Sequence, residues 1–216
     1  MSNQIDVLTE TLTDLVLDRL RTGLAAEGWF QVEASGRHVH LCVDDAKALF
    51  GDDYALTWIK DLSQPGQFVG KQRMSVVGPA GRLDNVVVIG PERERTQIEV
   101  SMTDARLLGV NPPFRDSGNL ADTPSIRIEN GDIAVATRGG LIVAERHIHM
   151  RPEAAQALGL KDGDRVDFAL DSPRPLTFRD VKVRVLETAS NFMHIDYDEA
   201  NAAGFSPGMF GSIKRN

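Results

Sequence analysis

All five histidines of the chain fall in three short clusters, and histidine is the side chain that proteins use most often to bind transition metals. A His-x-His pair within an apolar run is typical of a β-strand, where alternate side chains point to the same face. Two such imidazoles lie about 6–7 Å apart along the strand, which suits a divalent metal. The clusters are Arg37-His38-Val39-His40-Leu41, Arg146-His147-Ile148-His149-Met150 and Met193-His194-Ile195-Asp196.

A spacing that occurs four times along the chain adds a carboxylate to this set. An alanine stands six residues after His40, His149 and His194, and a leucine or alanine stands nine residues after each. The same spacing follows Glu99, which selects Glu99 from 31 acidic residues. The repeat predicts a strand that ends in a ligand, followed by a short helix and, in three cases, a glycine typical of helix C-termini. Six residues after the ligands stand Ala46, Ala105, Ala155 and Ala200. Nine residues after them stand Leu49, Leu108, Leu158 and Ala203, and the glycines that follow are Gly109, Gly159 and Gly204.

Six candidate ligands are enough for two sites with three protein ligands each. Three protein ligands and an open position are typical of catalytic zinc, whereas closed structural sites usually need several cysteines. Imidazoles with one carboxylate favour two Zn²⁺ ions, with iron, manganese or cobalt as other divalent choices. Alternatively, the histidines pair with backbone carbonyls in barrel walls. The six candidates are His38, His40, Glu99, His147, His149 and His194, and which of them share an ion stays open.

Arginines close to these motifs predict anion binding. Arg93 and Arg95 share the strand alternation of Glu99, so a guanidinium suited to phosphate is expected on the ligand face. The alternative is that Arg93 and Arg95 pair with Glu92 and Glu94 on a solvated surface.

Charge and cysteine content narrow the class of protein. A net charge of -7 and a pI near 5.2 argue against nucleic acid as the main partner. The single cysteine, Cys42, excludes an intramolecular disulfide and fits a reducing cytoplasm. Cys42 is either a further ligand on the face of His40 or a small apolar filler. No apolar run approaches the roughly 18 residues of a membrane span, and no signal-peptide pattern opens the chain.

The elements that must position these side chains are one helix and many short strands. Residues 5–24 carry apolar side chains at helical spacing and predict an amphipathic helix of about five turns. Beyond it, turn residues separate short apolar runs, among them uninterrupted strands over Val32–Leu41 and Gly140–Met150. This pattern predicts a mainly β chain built of small barrels. The polar segment Lys60–Phe68 is either an exposed loop or a loop that closes over a site.

Five motifs in order along the chain resemble one family, the PduL-type phosphotransacylases, or phosphate propanoyltransferases, many of which serve bacterial microcompartments. The resemblance covers about residues 30–210. Its motifs are Arg37–Leu41, Lys60–Phe68, Arg93 with Thr96–Glu99, Arg146–Met150 and Met193–Asn201.

The resemblance implies a fold of two small β-barrels capped by short helices, with a two-zinc site between them. One barrel would comprise 27–36 and 145–214, and the other 37–144, with a loop and two-strand insertion near 51–71. Residues 1–26 would be an N-terminal helix. That helix is either an encapsulation peptide for shell or cargo proteins or a helix packed on its own barrel or on a dimer interface.

The resemblance also implies the site residues and the reaction. The six histidine and glutamate candidates would bind the metals, Arg93 would be the catalytic phosphate binder, and Gln64 and Gln67 would contact substrate. The enzyme would reversibly convert a short acyl-CoA and phosphate into acyl phosphate and coenzyme A, as a homodimer in the cytoplasm or inside a microcompartment. Two alternatives are a dinuclear zinc hydrolase acting on a thioester or phosphoester, and a zinc-stabilised binding module.

Overall fold

A computed structural model describes residues 2–214 of the 216-residue chain, with the side chains of residues 2–8 and 10 outside the description. The helices are α1 Ser2–Ala26, α2 Val43–Phe50, α3 Met102–Leu108, α4 Pro152–Leu158 and α5 Tyr197–Ala203. The strands are β1 Trp29–Ser35, β2 His38–His40, β3 Trp58–Asp61, β4 Phe68–Val77, β5 Arg82–Gly90, β6 Gln97–Glu99, β7 Phe114–Arg115, β8 Arg127–Asn130, β9 Ile133–Ala136, β10 Leu141–Ala144, β11 His147–Met150, β12 Arg165–Leu170, β13 Leu176–Val185, β14 Phe192–Asp196 and β15 Phe210–Ile213. The predicted mainly β class is confirmed.

The first of two compact units is a closed six-stranded barrel. The unit comprises Met1–Glu33, Arg146–Ile195 and Ala200–Asn216. Its strands follow the order β1-β14-β11-β13-β12-β15 around the barrel. Because side chains alternate along a strand, the residue between His147 and His149 lies on the face opposite to theirs. That residue, Ile148, is fully buried, as are its neighbours Val183 and Met193.

The second unit, Ala34–Glu145 with Asp196–Glu199, is built on a nine-stranded sheet. Strand order is β7-β10-β6-β2-β5-β4-β8-β9, and β3 pairs with β4. The sequence predicts a second barrel here, whereas the strand order of this sheet runs from β7 at one end to β9 at the other. An apolar core that includes Val39 and Ile98 lies under the sheet. Each of these two residues alternates with a predicted metal ligand.

The predicted repeat of strand and helix is confirmed in both units. Helices α2, α3, α4 and α5 follow β2, β6, β11 and β14, and the alanine of each lies buried. Helix α3 shows how the local sequence sets the helix bounds. Ser101 and Asp104 form a reciprocal capping box at its start, and Gly109 adopts the left-handed conformation at its end.

Two predicted strands are interrupted where the chain passes from one unit to the other. Val32–Leu41 divides into β1 and β2, and Gly140–Met150 divides into β10 and β11. The first division follows a contact that apolar periodicity does not reveal. A side-chain carbon added to Gly36 would lie 3.0 Å from the ring of Tyr197, so the chain approaches this ring closely where β1 ends.

Helix α1 extends beyond the predicted residues 5–24, and its later turns are tied to the barrel unit. Arg151 forms a two-pronged ion pair with Asp18 at 2.9 and 3.0 Å, and the guanidinium of Arg21 lies 5.2 Å from the ring centre of Phe192. These contacts do not cover the predicted apolar stripe. Its members with described side chains, Leu12, Leu15, Val16, Leu20 and Leu24, are exposed, and the side chains of Ile5 and Leu8 lie outside the description. None of the helices within residues 2–214 combines the length and apolar content needed to cross a membrane.

Gly140 immediately precedes β10, which pairs with the ligand strand β6, and we expect Gly140→Ala to destabilise the protein strongly. Its φ is +99°, and an added Cβ would lie 2.2 Å from the carbonyl oxygen of Thr96. The left-handed backbone costs about 1–2 kcal/mol for alanine, and overpacking adds about 1–3 kcal/mol. Gly131→Ala is the matched control, since its φ is +59° with open space around it. Denaturant unfolding should show the greater loss for Gly140→Ala, and equal losses would contradict the close approach.

Candidate metal centres

The first cluster joins His38, His40 and Glu99 on neighbouring strands of the second unit. Strand β2 runs antiparallel to β6, with His38 directly opposite Glu99. One possible ligand atom from each of the three residues lies within 4.8 Å of the others. All three residues are buried, so water does not solvate this group of polar atoms freely.

Hydrogen bonds orient the two imidazoles of this cluster. The Nδ1–H of His38 donates to the carbonyl oxygen of Gly36 at 2.9 Å, so the other ring nitrogen, Nε2, faces Glu99 Oε2 at 3.6 Å. His40 hydrogen bonds to the backbone of Ile89, whereas its Nδ1 is buried without a partner in the described residues. The ring nitrogens suited to a metal are therefore Nε2 of His38 and Nδ1 of His40.

Burial and neighbouring charges shift the pKa values of the three side chains in this cluster in different directions. Burial, followed by the charges of His38 and Arg93, lowers the pKa of His40 to about 3, so His40 is neutral at pH 7. Burial would also lower the pKa of His38, but the charge and hydrogen bond of Glu99 outweigh it and raise that pKa. Burial opposes ionisation of Glu99, yet the charge of His38 holds the pKa of this carboxyl well below its usual range. A buried carboxylate beside two imidazoles is a donor set that suits a divalent cation.

The second cluster joins His147, His149 and His194 in the barrel unit. Strand β11 runs antiparallel to β14, and His147 lies directly opposite His194. The three ring centres form a near-equilateral triangle with sides of 4.6, 5.1 and 4.9 Å. Glu33 Oε2 lies 3.8 Å from Nδ1 of His194, on the side where a carboxylate can orient a metal-binding imidazole.

His149 is the buried residue of this cluster, and its ring is the one most clearly suited to bind a metal ion. Burial, followed by the charges of His147 and Arg184, lowers the pKa of His149 to about 3. Its Nε2 is buried and has no hydrogen-bond partner within residues 2–214. An unpartnered buried polar atom costs about 1–3 kcal/mol. A metal ion bound to the lone pair would remove that cost, so both clusters fit zinc.

Arg93 lies close to the first cluster, whereas Arg95 does not. The Arg93 guanidinium donates from NH1 to Ser117 Oγ at 3.0 Å, and its positive charge disfavours protonation of both His38 and His40. Arg95 instead donates to the carbonyl oxygen of Arg138.

The predicted substrate contacts Gln64 and Gln67 lie in the turn between β3 and β4, outside both clusters. There the backbone N–H of Gln67 donates to the carbonyl oxygen of Gln64 at 3.2 Å. Phe68 follows this turn and pairs with Gly90, three residues before Arg93. Substrate contact by the two glutamines stays a prediction.

Cys42 does not belong to either cluster. Its Sγ lies 3.4 Å from the hydroxyl of Thr96, which also donates to Asp45. A threonine hydroxyl is not a base that could generate a thiolate.

Sequence reasoning missed two polar residues around Glu99. Gln97 lies two residues before Glu99 on the same strand face, and it is directly opposite His40. Strand alternation could have revealed it. Ser117 comes from the loop after β7, and no sequence pattern connects this serine with Glu99.

Comparison with known proteins identifies relatives across nearly the whole chain. The family model described as phosphate propanoyltransferase matches residues 31–206. The phosphate propanoyltransferase of Enterococcus faecalis is 48% identical over 211 residues, covering 98% of this chain and 99% of the relative. That of Sebaldella termitidis is 49% identical, covering 94% and 97%, and that of Clostridioides difficile is 46% identical, covering 94% and 98%. The matched region contains all six predicted ligands and Arg93.

Proposed function

Because the chain belongs to the phosphate propanoyltransferase family, we propose that it reversibly transfers a short acyl group, propanoyl or acetyl, between coenzyme A and inorganic phosphate. The observation that carries this proposal is the family match over residues 31–206. That range contains both clusters and Arg93, the groups on which the chemistry would depend. The names of the relatives lend no support to the alternative of a zinc hydrolase.

We propose that each cluster holds one divalent ion, zinc in preference to iron, manganese or cobalt. His38 Nε2, His40 Nδ1 and Glu99 Oε2 would hold one ion, and His147, His149 and His194 the other. This assignment is supported by His40 and His149, which are neutral at pH 7 and each have a buried ring nitrogen without a hydrogen-bond partner in the described part of the chain. An ion with three protein ligands keeps an open position and can polarise a thioester carbonyl or bind a thiolate.

The protein's own groups would align the reactants. The Arg93 guanidinium offers parallel N–H donors to phosphate oxygens, and Ser117 fixes one of its nitrogens. In the forward direction a phosphate oxygen attacks the thioester carbonyl carbon, the C–O bond forms, the C–S bond breaks, and coenzyme A leaves as a thiolate that then takes up a proton. Alignment of the two reactants can supply about 7–11 kcal/mol of rate enhancement. Direct attack by phosphate requires no acyl-enzyme, and Cys42 has no evident base to activate it.

The decisive experiment measures coenzyme A release from acetyl-, propanoyl- and longer acyl-CoA with and without phosphate, together with the metal content of the purified protein. The proposal expects release that requires phosphate and yields acyl phosphate. Release that proceeds equally without phosphate would establish a hydrolase instead.

We propose that the exposed stripe of α1 binds a shell or cargo protein of a bacterial microcompartment. Leu12, Leu15 and Leu20 are each close to 60% exposed, although the Asp18–Arg151 ion pair ties the helix to the barrel unit. The double variant Leu12→Gln/Leu15→Gln should no longer co-sediment with microcompartment shells. The matched control is Leu107→Gln, a leucine of similar exposure on α3. Retention of the double variant on shells would overturn the proposal.

We further propose that the enzyme is a cytoplasmic homodimer. Sedimentation equilibrium tests the oligomeric state, and a mass of 23.7 kDa at micromolar concentration would contradict it, because this is the mass of one chain.

A further inference from the structure

The hydrogen bonds around Glu99 divide its two oxygens into separate roles. Glu99 Oε1 accepts a hydrogen bond from Gln97 Nε2 at 2.5 Å and another from Ser117 Oγ at 3.0 Å. Glu99 Oε2 instead lies toward His38 Nε2, at 3.6 Å. A carboxylate whose first oxygen is held by two donors presents its second oxygen in a fixed direction.

Ser117 and Gln97 use their hydrogen-bonding groups fully in this arrangement. The Ser117 hydroxyl donates to Glu99 and accepts from Arg93 NH1 at 3.0 Å and from Gln97 Nε2 at 2.8 Å. The Gln97 amide oxygen accepts from the backbone N–H of Gly118 at 2.7 Å. A hydroxyl has one donor and two acceptor sites, and an amide nitrogen has two donors, so the network admits one orientation of each group.

From this network we propose that Gln97 and Ser117 are positioning residues that couple the metal ligand Glu99 to the phosphate binder Arg93. Gln97 is 1% exposed, and a glutamine so buried is stabilised where every polar atom has a partner. Through Ser117 a single hydroxyl contacts both Glu99 and Arg93. The coupling to phosphate rests on the function proposed above for Arg93, whereas the orientation of Glu99 does not.

Ser117→Ala tests the proposal because it removes only the hydroxyl, from a half-buried loop residue that the fold should tolerate. Groups that orient metal ligands typically contribute about 10–100-fold to metal affinity. In a His149→Ala background, where the barrel cluster is incomplete, competition of Zn²⁺ with a chromophoric chelator should show a dissociation constant raised by about this factor. In the otherwise native enzyme the phosphate KM should rise at least about fivefold, with the acyl-CoA KM changed less than about twofold.

Two companion variants separate positioning from a general structural effect. Ser117→Thr keeps the hydroxyl and should restore both the zinc affinity and the phosphate KM. Ser125→Ala removes a serine of the same unit whose Oγ accepts from the N–H of Gly139, and it should change neither quantity.

Each outcome decides one part of the proposal. An unchanged zinc dissociation constant in Ser117→Ala would overturn the role in orienting Glu99. A weakened zinc site with an unchanged phosphate KM would overturn the coupling to Arg93. If the native enzyme fails to release coenzyme A in the presence of phosphate, the proposed function fails, while the zinc measurement still decides the orientation of Glu99.

Discussion

Alanine at His149 is expected to reduce the bound zinc from two ions per chain to one and to lower turnover at least about a hundredfold. A ligand contributes more than the outer groups that orient it, and those alone typically change affinity or activity by about 10–100-fold. His149 is the most buried of the three imidazoles in its cluster, and its Nε2 has no hydrogen-bond partner among the described residues. Elemental analysis of the dialysed protein and steady-state assays measure the two effects.

Substitutions in the other cluster test whether the two ions bind separately. His40→Ala should also leave one ion, and the double variant with His149→Ala should bind none.

The matched control for these substitutions is a carboxylate. All five histidines of the chain belong to the clusters, so no other histidine can serve as the control. Glu129 is buried in the same unit as Glu99 but pairs with Arg82 and Arg127. Glu99→Gln should weaken zinc binding and Glu129→Gln should not. Two ions retained by His149→Ala would refute the assignment.

Removal of the metals should abolish activity while most of the secondary structure persists. Each unit contains buried apolar residues on strands that carry no candidate ligand, such as Phe168 and Leu170 in the barrel and Val76 and Ile128 in the sheet unit. A zinc-stabilised binding module would instead unfold on chelation, because its ions would supply much of the folding free energy. Far-ultraviolet circular dichroism before and after dialysis against a chelator distinguishes the two.

The candidate ligands could be located from sequence because they follow short-range rules. Strand alternation puts His147 and His149 on one face, and the repeated helix after each ligand gave the position of Glu99. The grouping of the six could not be predicted. It depends on which strands pair, and β2 with β6 and β11 with β14 are joined across long stretches of chain.

For the fold, the sequence predicted the structural class and the short helices, but not the strand breaks or the order of the strands. Turn residues and short apolar runs indicated the mainly β class, and the repeat indicated four short helices. The division of Val32–Leu41 and Gly140–Met150 was not predicted, because such breaks depend on contacts between residues far apart in sequence, such as the approach of Gly36 to the ring of Tyr197. The order of the nine strands around β2 depends on long-range pairing that carries no local signal.

Arg93→Ala is expected to raise the phosphate KM by about tenfold or more and to lower kcat, with the bound zinc unchanged. Loss of a charge-assisted hydrogen bond to an anion costs about 1.5–3 kcal/mol, which corresponds to a factor of about 10–150. Arg93 contacts the cluster through Ser117 and not as a ligand, so zinc content should stay at the native level.

The neighbouring arginine provides the comparison that isolates this effect. Arg95 lies two residues further along the same segment and donates to the carbonyl oxygen of Arg138, away from the first cluster. Arg95→Ala removes an equal charge and should leave the phosphate KM within about twofold of the native value, since an exposed charge at a distance is largely screened by salt. Arg93→Lys should recover only part of the loss, because an ammonium group keeps the charge but cannot offer two parallel N–H donors. If Arg93→Ala and Arg95→Ala had the same phosphate KM, general electrostatic attraction would explain phosphate binding, and Arg93 would have no specific role.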